Sequence, residues 1–166
     1  MTTDHKKYLL TESLVSVVIN AAISVLFVWL IFRHQSVIPL TGPKGIIFDF
    51  LPQTFGVAFM AILVPTLITR ARLKAGKISL MDRGPITAPS NVLLRCALLA
   101  FIAACIVFTL ATILMPLIAS AQWSLPSLYT FKAIYGGALA FVMTWVGLNF
   151  ELRGVSRGKR YAARMH

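Results

Sequence analysis

Residues 93–117 read LLRCALLAFIAACIVFTLATILMPL, and this stretch decides the fold class of the chain. It contains one charged residue, Arg95, near its start. A helix needs about 20 predominantly apolar residues to cross the hydrocarbon layer of a membrane. The stretch is long enough and apolar enough for this, so we predict a transmembrane helix over Leu93–Leu117.

Three further stretches have the same character. They are Thr11–Phe32, Phe50–Thr69 and Leu128–Phe150, and the connections between the four contain the Gly, Pro and Ser residues typical of turns. The sequence therefore predicts an all-α membrane protein, a four-transmembrane-helix bundle in a single integral membrane domain. A loop over residues 70–92 and a basic tail over residues 151–166 complete the chain.

The composition excludes an ordinary soluble domain. Of the 166 residues, 58% are hydrophobic and 13% are charged, whereas soluble domains carry about 25% charged residues. The net charge of +11 is a feature of many nucleic-acid-binding domains. Here, however, the basic residues lie beside the apolar stretches, where membrane topology and lipid headgroups account for them. We expect the lipid bilayer and no nucleic acid as a partner.

The distribution of Lys and Arg predicts the orientation. Thirteen of these residues fall in the N-terminus, the 70–92 loop with the start of the third span, and the tail; three fall on the other side. Short segments with excess positive charge remain in the cytoplasm, so both termini are expected there, in the inner membrane of a bacterial cell. Lys6 and Lys7 precede an apolar stretch as in a signal peptide, but that stretch continues to Phe32, which favours an uncleaved first helix.

Small side chains recur on one face of three predicted helices, a pattern that brings helices into close contact in lipid. The fourth helix has Ala133, Gly137, Ala140, Thr144 and Gly147; the second has Thr54, Ala58, Ala61 and Pro65; the third has Ala97, Ala100, Ala104 and Ala111. The first helix has a polar counterpart in Ser13, Ser16, Asn20 and Ser24. We interpret these faces as packing surfaces of one compact bundle, with a path for a polar solute as the alternative. Asn20, near mid-membrane, requires a partner across a helix contact.

Ionisable residues near the outer ends of two spans are candidate functional residues, since such groups are costly inside membranes. Asp49 and Lys132 are predicted to face each other as an ion pair or an outer gate, and Gln53 is a further polar candidate. The structural alternatives are that Asp49 caps the second helix and that Lys132 extends its amine to the headgroups.

On the inner side, Glu12, Arg95 and Glu151 are predicted to form a charge cluster that links the first, third and fourth helices, or else to be water-screened residues at the rim. Candidate contacts to anionic lipid headgroups lie in the loop and the tail. They are Arg70, Arg72, Lys74, Lys77, Arg157, Lys159 and Arg160. The alternative is that these basic residues only determine topology.

The sequence contains no motif that names a reaction. The three histidines are far apart, and no GxSxG, GxGxxG or phosphate-binding loop occurs. We therefore expect no enzyme activity, no catalytic residues, no cofactor and no metal. Two functions remain: a subunit or assembly factor of a larger membrane complex or homo-oligomer, or a minimal oligomeric permease or channel for a small solute.

Overall fold

Four long helices make up most of the protein. The computed structural model describes residues 3–35, 37–81 and 88–153. The helices are α1 (Thr3–Phe32), α2 (Ile46–Lys74), α3 (Val92–Ile118) and α4 (Leu125–Leu152). Each is long and apolar enough to cross a membrane, which confirms the prediction of four helices of transmembrane length.

The helices extend beyond the predicted apolar spans, because hydropathy marks only the apolar part of a helix. The first helix begins at Thr3 and the second continues to Lys74, so the connection from α2 to α3 is shorter than the predicted loop. Side-chain caps define two of the starts. The Asn91 carboxamide oxygen accepts from the amide of Leu93 at 3.0 Å, and the Ser124 hydroxyl accepts from the amide of Ser127 at 3.4 Å.

The bundle is arranged as a row in the order α1, α4, α2, α3. Among the described residues, α1 packs mainly on α4, α4 also packs on α2, and α3 packs mainly on α2. In the most apolar part of each helix, 56% of the residues of α2 and 39% of those of α4 are buried. The corresponding share is 22% in both α1 and α3. The two inner helices, α4 and α2, are therefore flanked by two helices, α1 and α3, whose most apolar parts contain fewer buried residues.

Glycines on α4 allow the closest helix contacts. A Cβ on Gly136 would lie 1.9 Å from the Ser24 hydroxyl of α1, and a Cβ on Gly147 would lie 2.6 Å from the Ile62 side chain of α2. The predicted small-residue face included Gly147 but not Gly136. Gly136 and Gly147 are eleven residues, or about three turns, apart, so the two close contacts lie on nearly the same face of α4 at different heights.

The two ends of the bundle, taken along the helix axes, differ in chemistry. At one end, strand β1 (Ile38–Pro39) pairs antiparallel with strand β2 (Gln122–Trp123); we call this the strand end. At the other end, the segment after α2 contacts the ends of α1 and α4: the Met81 amide donates to the carbonyl of Leu152 at 2.8 Å. We call this the basic end, since most of the described Lys and Arg residues lie there.

Candidate functional site

At the strand end, the candidate residues Asp49 and Lys132 are in direct contact. Asp49 lies in the first turn of α2 and Lys132 near the start of α4. The Lys132 Nζ is 2.9 Å from Asp49 Oδ2, and the two side chains are 0% and 8% exposed. Because the residues belong to different helices, this buried ion pair ties the start of α4 to the start of α2.

Further groups surround the Lys132 ammonium. It donates to the Gln53 Oε1 at 2.6 Å and lies 4.0 Å from the ring centroid of Phe50 and 5.8 Å from that of Tyr135. A buried charge is tolerated where a counter-ion, hydrogen bonds and aromatic faces replace its hydration. Asp49, Gln53 and the two rings form a shell of this kind around the Lys132 ammonium. The Tyr135 hydroxyl in turn hydrogen-bonds Thr54 of α2.

Both structural alternatives for this pair are wrong. Gly45 is the N-cap residue of α2, so Asp49 lies inside the helix and its carboxylate is directed at a lysine rather than at free backbone amides. The Lys132 side chain is fully buried among residues of α2 and α4 and does not extend to the exterior. The ion pair is therefore an internal feature of the bundle.

At the basic end, one carboxylate joins three helices. The Glu151 Oε2 of α4 lies 2.6 Å from Arg95 Nη2 of α3, and its Oε1 lies 2.7 Å from Arg70 Nε of α2. The Arg95 and Glu151 side chains are 1% and 2% exposed, whereas Arg70 is 30% exposed. The expectation that Arg95 and Glu151 are water-screened rim residues is therefore wrong.

Glu12, the third member of the predicted cluster, has a different partner. Its Oε1 lies 2.5 Å from Arg72 Nη1, and the Arg72 guanidinium also lies over the Tyr8 ring at 5.3 Å from the centroid. The Tyr8 hydroxyl is 2.8 Å from the hydroxyl of Thr69. These contacts tie α1 to α2, so the basic end contains a second charged pair beside the Glu151 cluster.

Between the two ends, polar residues of three helices meet. The Thr144 hydroxyl of α4 is 2.8 Å from both the Ser16 hydroxyl of α1 and the Ala61 carbonyl of α2. The Asn20 Nδ2 donates to the Ser16 carbonyl of its own helix at 2.9 Å. The predicted polar face of α1 is thus buried and bonded in part to the neighbouring helices. The expectation that Asn20 is bonded across a helix contact is wrong, because both of its described hydrogen bonds go to Ser16 of its own helix.

Several buried polar atoms have no hydrogen-bond partner among the described residues. On α1 and α2 these are Ser13 Oγ, Asn20 Oδ1, Ser24 Oγ, Gln53 Nε2 and Thr66 Oγ1. On α3 they are the Nε and Nη1 atoms of Arg95. Such atoms are destabilising in a dry interior, so they mark positions where a ligand, water or a second conformation would be most favourable.

The candidate lipid contacts lie partly within the described chain. Arg70 and Arg72 are half-buried, and Lys74 and Lys77 are exposed at the end of α2. The three candidates in the tail, Arg157, Lys159 and Arg160, lie outside the described residues.

Tyr135, which was missed at the sequence level, had a usable signal in its spacing from the predicted candidate Lys132. Asp49 and Gln53 are four residues apart, and Lys132 and Tyr135 are three apart, so each pair lies on one helical face. Combining this spacing with the ion pair would have predicted the shell around Lys132. The contact of Arg70 with Glu151 had no such signal, because it depends on the order of the helices in the row.

The contacts described above are polar contacts that join helices. No group of three or more His, Cys, Asp or Glu side chains in residues 5–35, 37–81 and 88–153 is placed to hold a metal ion. Comparisons of the chain with protein-family models, with curated proteins and with solved structures give no match. The function must therefore be argued from the contacts themselves.

Proposed function

We propose that the protein is an integral membrane protein whose four helices cross the inner membrane of a bacterial cell, with the basic end and both termini in the cytoplasm. The exposed apolar surface of α1 and α3 supports insertion, because in water such a surface would be a liability. The excess of Lys and Arg at the basic end supports the orientation.

Within that membrane, we propose that it acts as a subunit or assembly factor of a larger membrane complex or of a homo-oligomer. The observation that carries this proposal is that the buried charged side chains are paired with one another. Lys132 is bonded to Asp49, and Glu151 is bonded to Arg95, each across a helix contact. The interior charges are thus used to hold the bundle together, which leaves the surface as the part that can act on other molecules.

The surface offers two kinds of contact. Helix α3 packs mainly on one neighbour among the described residues and exposes Phe101, Ile106 and Cys105, so a helix of another chain can pack beside it. The basic end offers exposed cations to anionic headgroups. Both are binding surfaces, and neither requires a catalytic group.

Extraction in a mild detergent, followed by measurement of the protein mass of the particle, tests the subunit proposal. We expect either a particle larger than one chain or a defined companion chain. The native cysteines sharpen the homo-oligomer case: oxidation in membranes should link two copies through the exposed Cys105, and Cys105→Ser should abolish the link. The buried Cys96 provides the matched control, since Cys96→Ser should leave the link intact. A monomeric particle with no companion and no cross-link contradicts the proposal.

A minimal permease is the second candidate, and the unpartnered atoms of the polar face of α1 favour it. The Asn20 Oδ1 and the Ser13 and Ser24 hydroxyls are buried without partners among the described residues, as groups that bind a passing polar solute would be. Light scattering of proteoliposomes can follow the permeation of glycerol and urea. Under this alternative, Asn20→Leu and Asp49→Asn abolish permeation. The control Val18→Leu, on the exposed face of α1, leaves it unchanged. Permeation equal to that of empty liposomes removes this candidate for these solutes.

A further inference from the structure

The buried guanidinium at the basic end has hydrogen-bond donors to spare. Arg95 is 1% exposed, and its described contact is the bond from Nη2 to Glu151. Its Nε and Nη1 have no partner among the described residues. Charged donors that lose water without gaining an acceptor are strongly destabilising. Lys132 at the strand end differs, because a carboxylate, an amide oxygen and aromatic faces surround its ammonium.

Among the described side chains, the same place has more positive than negative charge. Arg70 and Arg95 share the carboxylate of Glu151, so these three side chains have a net charge of +1 (two positive charges and one negative). Arg95 also lies in the first turns of α3, which begins at Val92. The N-terminal end of a helix carries a partial positive charge, which adds to the demand for an anion.

An anion can approach this place from the surface. Arg70 is 30% exposed, so part of its side chain reaches the exterior while its Nε contacts Glu151. Lys74 and Lys77 are exposed nearby on the same end of α2 and its following turn. Such surface cations raise the local concentration of anions at the basic end.

We propose that Arg70 and Arg95 form a binding site for the phosphate group of an anionic phospholipid headgroup, with Glu151 holding the two guanidinium groups in place. Guanidinium groups bind phosphate oxygens through paired N–H donors, and Arg95 has the donors that such a phosphate would fill. The headgroup lies at the depth where the basic end meets the membrane surface. This inference rests on the membrane insertion proposed above.

Native mass spectrometry of the full chain in detergent, titrated with phosphatidylglycerol or phosphatidylcholine, tests the site. We expect one phosphatidylglycerol to bind about tenfold more tightly than phosphatidylcholine. Both lipids carry a phosphodiester, but the trimethylammonium group of phosphatidylcholine adds a positive charge beside two guanidinium groups, and a repulsion of this kind has roughly that effect on affinity. Arg70→Gln should remove this preference. The matched control is Lys7→Gln: Lys7 is an exposed cation on α1 at the same basic end and is not among the candidate lipid contacts. It should change the affinity less than about twofold.

Arg95 is tested by a substitution that keeps its charge. Arg95→Lys should lower the affinity for phosphatidylglycerol about tenfold, because an ammonium group cannot present the paired donors that hold the phosphate. If that variant does not fold, the double variant Arg95→Gln/Glu151→Gln, which removes a positive and a negative charge together, replaces it and should give the same loss.

Each other outcome overturns the site. Equal losses in Arg70→Gln and Lys7→Gln would indicate a diffuse basic surface. Binding of inorganic phosphate without any binding of phosphatidylglycerol would make free phosphate the ligand. A chain that remains in the membrane pellet after a carbonate wash but shows no lipid preference contradicts this inference alone. A chain released by that wash contradicts the membrane proposal as well.

Discussion

Replacing Lys132 with Met should destabilise the protein far more than its single ion pair would suggest at a surface. The variant leaves the Asp49 carboxylate 8% exposed and without its counter-ion. Removing one partner of a buried pair costs about 3–5 kcal/mol, because the remaining charge is uncompensated. Asp49→Leu should have a similar effect on the lysine, partly offset by Gln53 and Phe50, which also contact the ammonium.

The double variant Lys132→Met/Asp49→Leu distinguishes the energy of the ion pair from the effects of the two single substitutions. With both charges gone, the desolvation penalty is gone as well, and the stability should return to within about 1–2 kcal/mol of the natural protein. The expected coupling energy is therefore at least about 2 kcal/mol. The pair Arg72–Glu12 serves as the control: Arg72 is 41% exposed, and the corresponding coupling should be about 0–1 kcal/mol.

Reversible unfolding of the purified protein measures these energies. The mole fraction of SDS is raised in a mild detergent while tryptophan fluorescence is followed, and the free energies of unfolding are compared across the four members of each cycle. Additive effects, with the double variant as unstable as the sum of the single ones, would refute the conclusion that Lys132 and Asp49 stabilise the bundle as a pair.

Two further predictions concern the helix contacts and use the same unfolding assay. Gly136→Ala should destabilise the protein by about 1–3 kcal/mol, because the new Cβ would lie 1.9 Å from the Ser24 hydroxyl. The control is Gly56→Ala, whose Cβ would meet nothing within 4 Å and which should be neutral or stabilising. Equal effects of the two substitutions would contradict the close contact. Thr144→Val should lower the free energy of unfolding by about 0.6–1.7 kcal/mol, because it removes the hydroxyl that bridges three helices. The control is Thr112→Val, which should change stability less, since Thr112 is exposed and bonded within its own helix.

The sequence was a good guide to the existence of the helices and a poor one to their neighbours. Each apolar stretch identifies its own helix, because the requirement of the hydrocarbon layer acts on one segment at a time. The order of the helices depends on how the faces of different helices fit together, which no single segment reveals. Gly136 is an example, because its importance follows from its contact with Ser24 on another helix. The polar start of α1, from Thr3, was missed because hydropathy carries no signal for it.

The candidate site shows the same division. The proximity of Asp49 and Lys132 was anticipated from their similar depth at one end of their spans. The burial of Arg95 and Glu151 was not, because depth along a helix says nothing of which face a side chain occupies. Glu12 was assigned to that cluster on depth alone, whereas the rotation of α1 directs it to Arg72.

The pairing of β1 with β2 had no sequence signal either. Each strand has two residues, too few for an alternating pattern. The pairing arises because α1 and α3 end on the same side of the row, which brings the two connections together.

The central claim is that the four helices cross a membrane with the basic end in the cytoplasm, and cysteine labelling in intact cells tests it most directly. In a chain freed of Cys96 and Cys105, Lys44→Cys at the strand end should react with a membrane-impermeant maleimide added outside. Lys77→Cys at the basic end should react only after the cells are opened. Labelling of Lys77→Cys in intact cells, or a chain released from membranes by carbonate, would contradict the claim.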